Sequence, residues 1–260
     1  MFCNRLQLKF VFNFIILSLF VFLTAFTCKK VKNEDLPKSL FKEKKVLIFS
    51  KTAGFHHASI PKGIAAIQKL GAENKFVVDT TTNPALITAG NLKQYAAVIF
   101  LNTTGDIFNA DQQTAFEQYI KKGGGFVGVH AATDTEYDWP WYGKLVGAYF
   151  NGHPEQQEAT LHVIDRSHIS TKHLPETWQR KDEWYNFKQL NPGVHVLITI
   201  DEATYKGGTN GNTHPMAWYH EFDGGRAYYT ELGHTDESYT EPLFLQHLLG
   251  GIKYAMDVKK

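Results

Sequence analysis

Cysteine is nearly missing from this chain, and the place where it does occur excludes a good deal. The 260 residues hold two, Cys3 and Cys28, both in the apolar N-terminal segment. From residue 29 onward there is no disulfide framework, no thiolate metal ligand and no cysteine nucleophile. An excess of either charge is missing too. Of the 27 basic residues, Arg5 and Lys9 fall in the N-terminal segment, which has no acid, leaving 25 basic against 26 acidic residues. So balanced a chain has no electrostatic footprint for nucleic acid. There is no internal repeat and no low-complexity stretch, and no histidine pair has H-E-x-x-H spacing. No motif therefore demands a metal, although scattered His and Glu could still converge on one divalent ion.

What is present begins with residues 1–28. A basic start, the apolar run FVFNFIILSLFVFLTAFTC and a polar close have the layout of an export signal. A run of this length could nearly span a bilayer, so a membrane anchor is the alternative. Cys28 followed by Lys29 and Lys30 resembles a bacterial lipoprotein signal. The expectation is an exported protein, periplasmic or associated with the outer membrane, lipid-anchored at Cys28 and touching membrane only through that anchor or signal. Residues 29–43 read as a polar linker and 44–257 as one domain, large enough for a sizeable core.

KKVLIFS (44–50) reads as a buried strand, PKGIAAIQKLGAEN as a helix, FVVDTTT (76–82) and AAVIFLNTTG (96–105) as further strands. A helix capped by Asn109 and ended by glycines precedes a fourth strand, GFVGVHA. Apolar strands alternating with amphipathic helices predict a parallel sheet covered on both faces. The second half differs: QEATLHVID, VHVLITID, HPMAWYHEF and GRAYYTELG are strand-like, the last two forming a hairpin about Asp223-Gly224-Gly225, and residues 243–256 form a closing helix. The fold class expected is α/β, a flavodoxin-like three-layer sandwich with a mostly parallel sheet and an antiparallel extension.

In open α/β sheets ligands gather at the carboxyl ends of the parallel strands. After the first strand come His56, His57 and Ser59; after the third, Asn102; after the fourth, His130, Thr133 and Asp134. Groups suited to proton transfer recur at one edge three times. GGGFVG does match G-x-G-x-x-G, but a dinucleotide fingerprint follows a strand and opens a helix, whereas these glycines end a helix and precede the strand. Further candidates are His153, Asp182, Glu183, Tyr185, His214, Trp218 and His234. His162, His168, His173, His195 and His247 read as structural or solvent-facing. His130 reads as functional, because a buried strand rarely delivers an ionisable ring without a use.

GFHHASI, GGGFVGVHAATD, NGHPE, KDEWYNF, HPMAWYHEFDGGRAYYTELGH and the closing helix, in that order over about residues 44–257, resemble the ThuA-like family, named for trehalose utilisation. That family is similar in fold to class I glutamine amidotransferases, which place a cysteine at a sharp strand-to-helix turn. Here His130 stands near that place, so glutamine hydrolysis through a thioester is not available. The resemblance implies disaccharide catabolism on sugars oxidised to 3-keto forms by a partner dehydrogenase, with the sugar or keto-sugar as substrate. Hydrolysis or elimination would need a base, an acid and an enolate stabiliser. On that reading His57 and His130 form the acid/base pair and Glu183 is a second base or a metal ligand. His56, Asp182, His214 and His234 bind sugar hydroxyls or the oxyanion, with Ser59, Asn102, Thr133, Asp134 and His153 in the same binding set. Tyr185 and Trp218 offer stacking faces. A two-carboxylate glycosidase would have to use Asp182 and Glu183, which as strand neighbours point to opposite faces. The alternative is a non-catalytic carbohydrate-binding lipoprotein.

Overall fold

The structure is a computed structural model and describes residues 43–257; the expected signal (1–28), all but the last residue of the linker and the anchor at Cys28 lie outside the described residues. Its elements, in order, are β1 (Lys44–Phe49), α1 (Ile60–Asn74), β2 (Phe76–Thr81), α2 (Ala89–Leu92), β3 (Ala97–Leu101), α3 (Ala110–Lys121), β4 (Gly125–Val129) and α4 (Pro140–Val146). Then follow β5 (Tyr149–Phe150), β6 (Gln157–Val163), β7 (Thr177–Asp182), β8 (Phe187–Lys188), β9 (His195–Ile200), β10 (Pro215–Phe222), β11 (Gly225–Thr230) and α5 (Pro242–Met256). Among the described residues no helix is long and apolar enough to cross a membrane.

One nine-stranded sheet runs β2-β1-β3-β4-β11-β10-β9-β6-β7, and β5 pairs with β8 apart from it. The first five strands are parallel, and from β11 to β7 every neighbour is antiparallel. The expected α/β sandwich with an antiparallel extension is thus observed. The β10–β11 hairpin closes on Asp223 and Gly224, both at positive φ, the geometry of a two-residue turn matched to strand twist.

Strands β3 and β4 are buried at every position, as strands covered on both faces must be. Adjacent side chains show the two layers. Phe100 and Phe126 meet Phe116 of α3 and Tyr142 of α4. Their neighbours face the other way, Leu101 against Gly63 of α1 and Gly125 against Ala255 of α5.

Two strands end earlier than the sequence pattern predicts. β3 stops at Leu101 because Asn102 takes φ 50°, and β4 stops at Val129 because His130 takes φ 48°. Both are left-handed conformations that non-glycine residues adopt at a cost. The chain therefore breaks out of the sheet at the edge where the polar residues collect.

Candidate functional site

His130 opens a short 3-10 turn, His130–Thr133, directly after β4. Its strained backbone is fixed from outside: the Tyr229 hydroxyl donates to its carbonyl at 2.7 Å, and Thr133 Oγ1 lies 3.1 Å from that hydroxyl. The elbow the sequence suggests is present, with an imidazole at its tip.

The ring of His130 is fully buried, and its Nδ1 lies 2.7 Å from the Glu231 backbone carbonyl. A carbonyl only accepts, so Nδ1 carries the hydrogen. Nε2 then faces His234 Nδ1 at 3.1 Å and Glu183 Oε2 at 3.4 Å. Glu183 Oε2 is also 3.0 Å from His234 Nδ1, and its Oε1 is 3.3 Å from His153 Nδ1. The His57 ring stands edge-on to His130 and His234, with centroids 4.9 and 5.1 Å away. Residues from four distant parts of the chain thus share one point, and one donor atom from each of His57, His130, Glu183 and His234 lies within 4.8 Å of the others.

Two supports bring the late segments there. The Asp182 carboxylate accepts from the backbone N–H groups of Gly233 and His234 at 3.1 and 3.2 Å, pinning the loop after β11. Arg180 Nη2 holds that carboxylate at 2.9 Å. Glu231 Oε1 accepts from the Tyr185 N–H at 3.1 Å and so draws the segment after β7 across β11. Because β7 ends at Asp182, Asp182 and Glu183 are not strand neighbours with opposite faces. One braces the loop carrying His234 and the other meets its ring.

The charges follow from burial and proximity. Burial opposes a charge on His130, yet Glu183 and Glu231 outweigh it and raise its pKa to about 10. Burial also opposes ionisation of Glu183, but His130 and His234 hold its carboxyl well below the usual range. Burial, followed by repulsion from His130 and His234, lowers His57 to about 2. Burial raises Glu231 to about 7, and its Oε2 meets no hydrogen-bond partner among the described residues.

The remaining expected residues divide. Ser59 and Asn102 are buried and bond to each other and to the Gly233 carbonyl, locking three loops together. His56 is exposed beside Thr52, and Asp134 accepts from the Tyr137 hydroxyl. His214 is buried between Glu202 and the Tyr185 carbonyl, away from the cluster. Tyr185 is nearly enclosed, its ring 4.3 Å from His130 and 4.2 Å from Phe150. Trp218 corrects the expectation of a stacking face: it is fully buried on Tyr229 at 4.3 Å and donates to the Val146 carbonyl at 2.8 Å.

Two residues at the site escape the sequence pattern. Phe55 is 65 % exposed and its ring lies 4.8 Å from that of His57, yet a lone phenylalanine in a loop carries no signal. Glu231 does carry one: it stands one residue past β11, a strand parallel to β4 and subject to the same strand-end rule.

A sequence model of the ThuA family, described as trehalose utilisation, matches residues 45–255. A comparison with curated proteins finds no match. Among solved structures, a ThuA-like protein from Bacteroides uniformis is similar at 26 % identity and TM-score 0.70, over 85 % of this chain and 95 % of that one. A ThuA-like protein from Parabacteroides merdae shares the fold at 20 % identity and TM-score 0.70, over 84 % and 92 %. A cytoplasmic protein from Salmonella typhimurium shares the fold alone, at 10 % identity and TM-score 0.59, over 83 % and 100 %.

Proposed function

The chain belongs to the ThuA family, described as trehalose utilisation, and from that premise we propose that it processes 3-keto-glycosides, disaccharides among them, at the His57–His130–Glu183–His234 cluster. Carbohydrate metabolism is what the family points to. The observation that carries the finer reading is the convergence of three imidazoles and a carboxylate at the carboxyl edge of β1, β4 and β11. The edge is solvent-accessible beside Phe55 and His153, the latter's side chain being 39 % exposed.

A ketone at C3 acidifies the C2 hydrogen. Glu183 or His57, both unprotonated at neutral pH, takes that proton, and the electron pair moves into the C3 oxygen as an enolate. His130, held as a cation by two carboxylates, supplies the positive charge the enolate needs. Collapse of the enolate forms the C1–C2 double bond and expels the glycosidic oxygen, which leaves with a proton from the site. Water adding to C1, with a proton returned to C2, completes a hydrolysis. Without that addition the reaction is an elimination. Phe55 gives the sugar ring an exposed apolar face.

The N-terminal signal-like segment supports export and anchoring at Cys28, and a 3-keto substrate implies a sugar dehydrogenase upstream. A purely carbohydrate-binding role is favoured by one observation, the mutual neutralisation of His130 and Glu183. Incubation with 3-keto-trehalose or a 3-keto-glucoside in deuterated water separates the two. The enzyme releases sugar with deuterium at C2, and His130→Gln lowers the rate by about 100-fold or more. Saturable binding with neither release nor exchange, across several keto-glycosides, leaves the binding role.

A further inference from the structure

The positive charge between His130, His234 and Glu183 need not be a proton. We propose that these three side chains, with His57 beside them, form a site for a divalent first-row transition ion of the zinc class. This deepens the reading of the same site but stands on donor geometry alone, independent of any sugar.

His130 Nε2, His234 Nδ1 and Glu183 Oε2 form a triangle with edges of 3.0, 3.1 and 3.4 Å. Ligands about 2.0–2.1 Å from a tetrahedral ion must lie about 3.3–3.4 Å apart. The observed edges are nearly those, and a His57 ring nitrogen lies within 4.8 Å of the same three atoms.

Protonation points the same way. With Nδ1 of His130 donating to the Glu231 carbonyl, a neutral ring presents a lone pair at Nε2. That lone pair faces a carboxylate oxygen and a second imidazole nitrogen. One proton can satisfy two of the three atoms along a line, whereas a cation at the centre satisfies all three. His57 adds an independent sign: it is 2 % exposed, yet its Nδ1 has no hydrogen-bond partner among the described residues, a costly state for a buried polar group.

The surroundings are those of a ligand shell. A metal-bound imidazole characteristically donates its other N–H to a carbonyl or carboxylate, as His130 does. The second oxygen of Glu183 is taken by His153, and the backbone of His234 is fixed by Asp182. The donor set names the class of ion. Three imidazoles and one carboxylate, with no thiolate anywhere from residue 29 onward, suit zinc, iron, cobalt or nickel better than the all-oxygen preference of calcium or magnesium. When bound, such an ion supplies Lewis acidity where an enolate oxygen would sit.

The test needs no substrate. The full-length protein, purified without a polyhistidine tag or chelator, is analysed for metal content, stripped with a chelator, and titrated with zinc by calorimetry and with cobalt by visible spectroscopy. The expected result is about one ion per chain, saturable binding and an intense four-coordinate cobalt spectrum. Glu183→Gln and His234→Ala each weaken zinc binding by at least about tenfold with the circular dichroism unchanged, while His162→Ala, on the exposed side of β6, leaves it unaltered. His234 is partly exposed, so its truncation gives a folded variant if Glu183→Gln does not. Absence of saturable zinc and cobalt binding overturns the proposal, and so does binding that both folded variants retain at full strength. Either result leaves the keto-glycoside reading standing, because His130 as a proton-bearing cation serves it without a metal.

Discussion

Phe55 and Trp218 exchange the roles their side chains suggest. A large aromatic in a histidine-rich segment looks like a sugar platform, but Trp218 is wholly enclosed, stacked on Tyr229, edge-to-face with Phe187 and donating its N–H to the Val146 carbonyl. Gly147, at φ 100°, lies so close that any side chain there would overlap the indole nitrogen. Phe55 is the exposed ring beside the cluster. Phe55→Ala should weaken keto-glycoside binding by about tenfold and leave thermal stability unchanged. Trp218→Phe should do the reverse, costing about 1–3 kcal/mol in denaturant unfolding through the lost hydrogen bond and the void, with sugar affinity intact. Calorimetric titration and unfolding midpoints on both variants check the pair, and a Trp218 variant defective in binding but not stability would restore the tryptophan to the site.

At the scale of elements, the seating of α5 on the sheet is set where β4 begins, at the end of the strand opposite His130. A Cβ at Gly125 would overlap the Ala255 carbonyl, whereas one at Gly90 in α2 meets open space. Gly125→Ala should therefore destabilise by about 1–3 kcal/mol, since the backbone of α5 must shift. Gly90→Ala should be neutral or stabilising by up to about 1 kcal/mol through helix propensity. Urea unfolding decides it, and equal effects of the two would mean that α5 is not seated as described. The same elements show what the sequence makes legible. β1, β3 and β4 are readable because burial on both faces demands unbroken apolar runs, and His130 because it stands at the end of one. β7 is not readable as a strand: TWQRKD does alternate, but its inward residues are Trp178, Arg180 and Asp182, so two of three buried positions carry charge. Their ion pair is visible only in three dimensions, and with it the brace that brings His234 to Glu183. α4 and the two-residue strands β5 and β8 are too short for any period to register.

Across the molecule, burial holds histidines outside the cluster in the neutral state, three of them well below the ordinary imidazole range, and they set how the fold meets acid. Burial lowers His168 and His220 to about 4 and His247 to about 3. His168 stacks on Tyr219 and meets Ser170, and His247 sits between Tyr228, Thr230 and the Ser170 carbonyl. His220 lies beside Phe222, near His195 and the Lys144 backbone, and neither of its ring nitrogens reaches full hydrogen-bond geometry with a partner among the described residues. Unfolded, each ring takes a proton below about 6.5, and folded it does not until about 4 or lower. Their contribution is whole above 6.5 and is lost as pH falls through the window from 6.5 to about 4. Glu231, raised to about 7 by burial, and His130, raised to about 10 by Glu183 and Glu231, act with the opposite sign, each holding a proton in the fold that the unfolded chain releases, and offset part of the loss. The net expectation is a melting temperature that falls between pH 7.5 and pH 5. His220→Leu isolates one histidine, replacing a titrating ring whose nitrogens are poorly paired with an apolar group of similar size. Its gain in melting temperature over the parent should be larger at pH 5 than at pH 7.5. Equal gains at both would mean that His220 is protonated in the fold or reached by water, and that acid lability arises elsewhere.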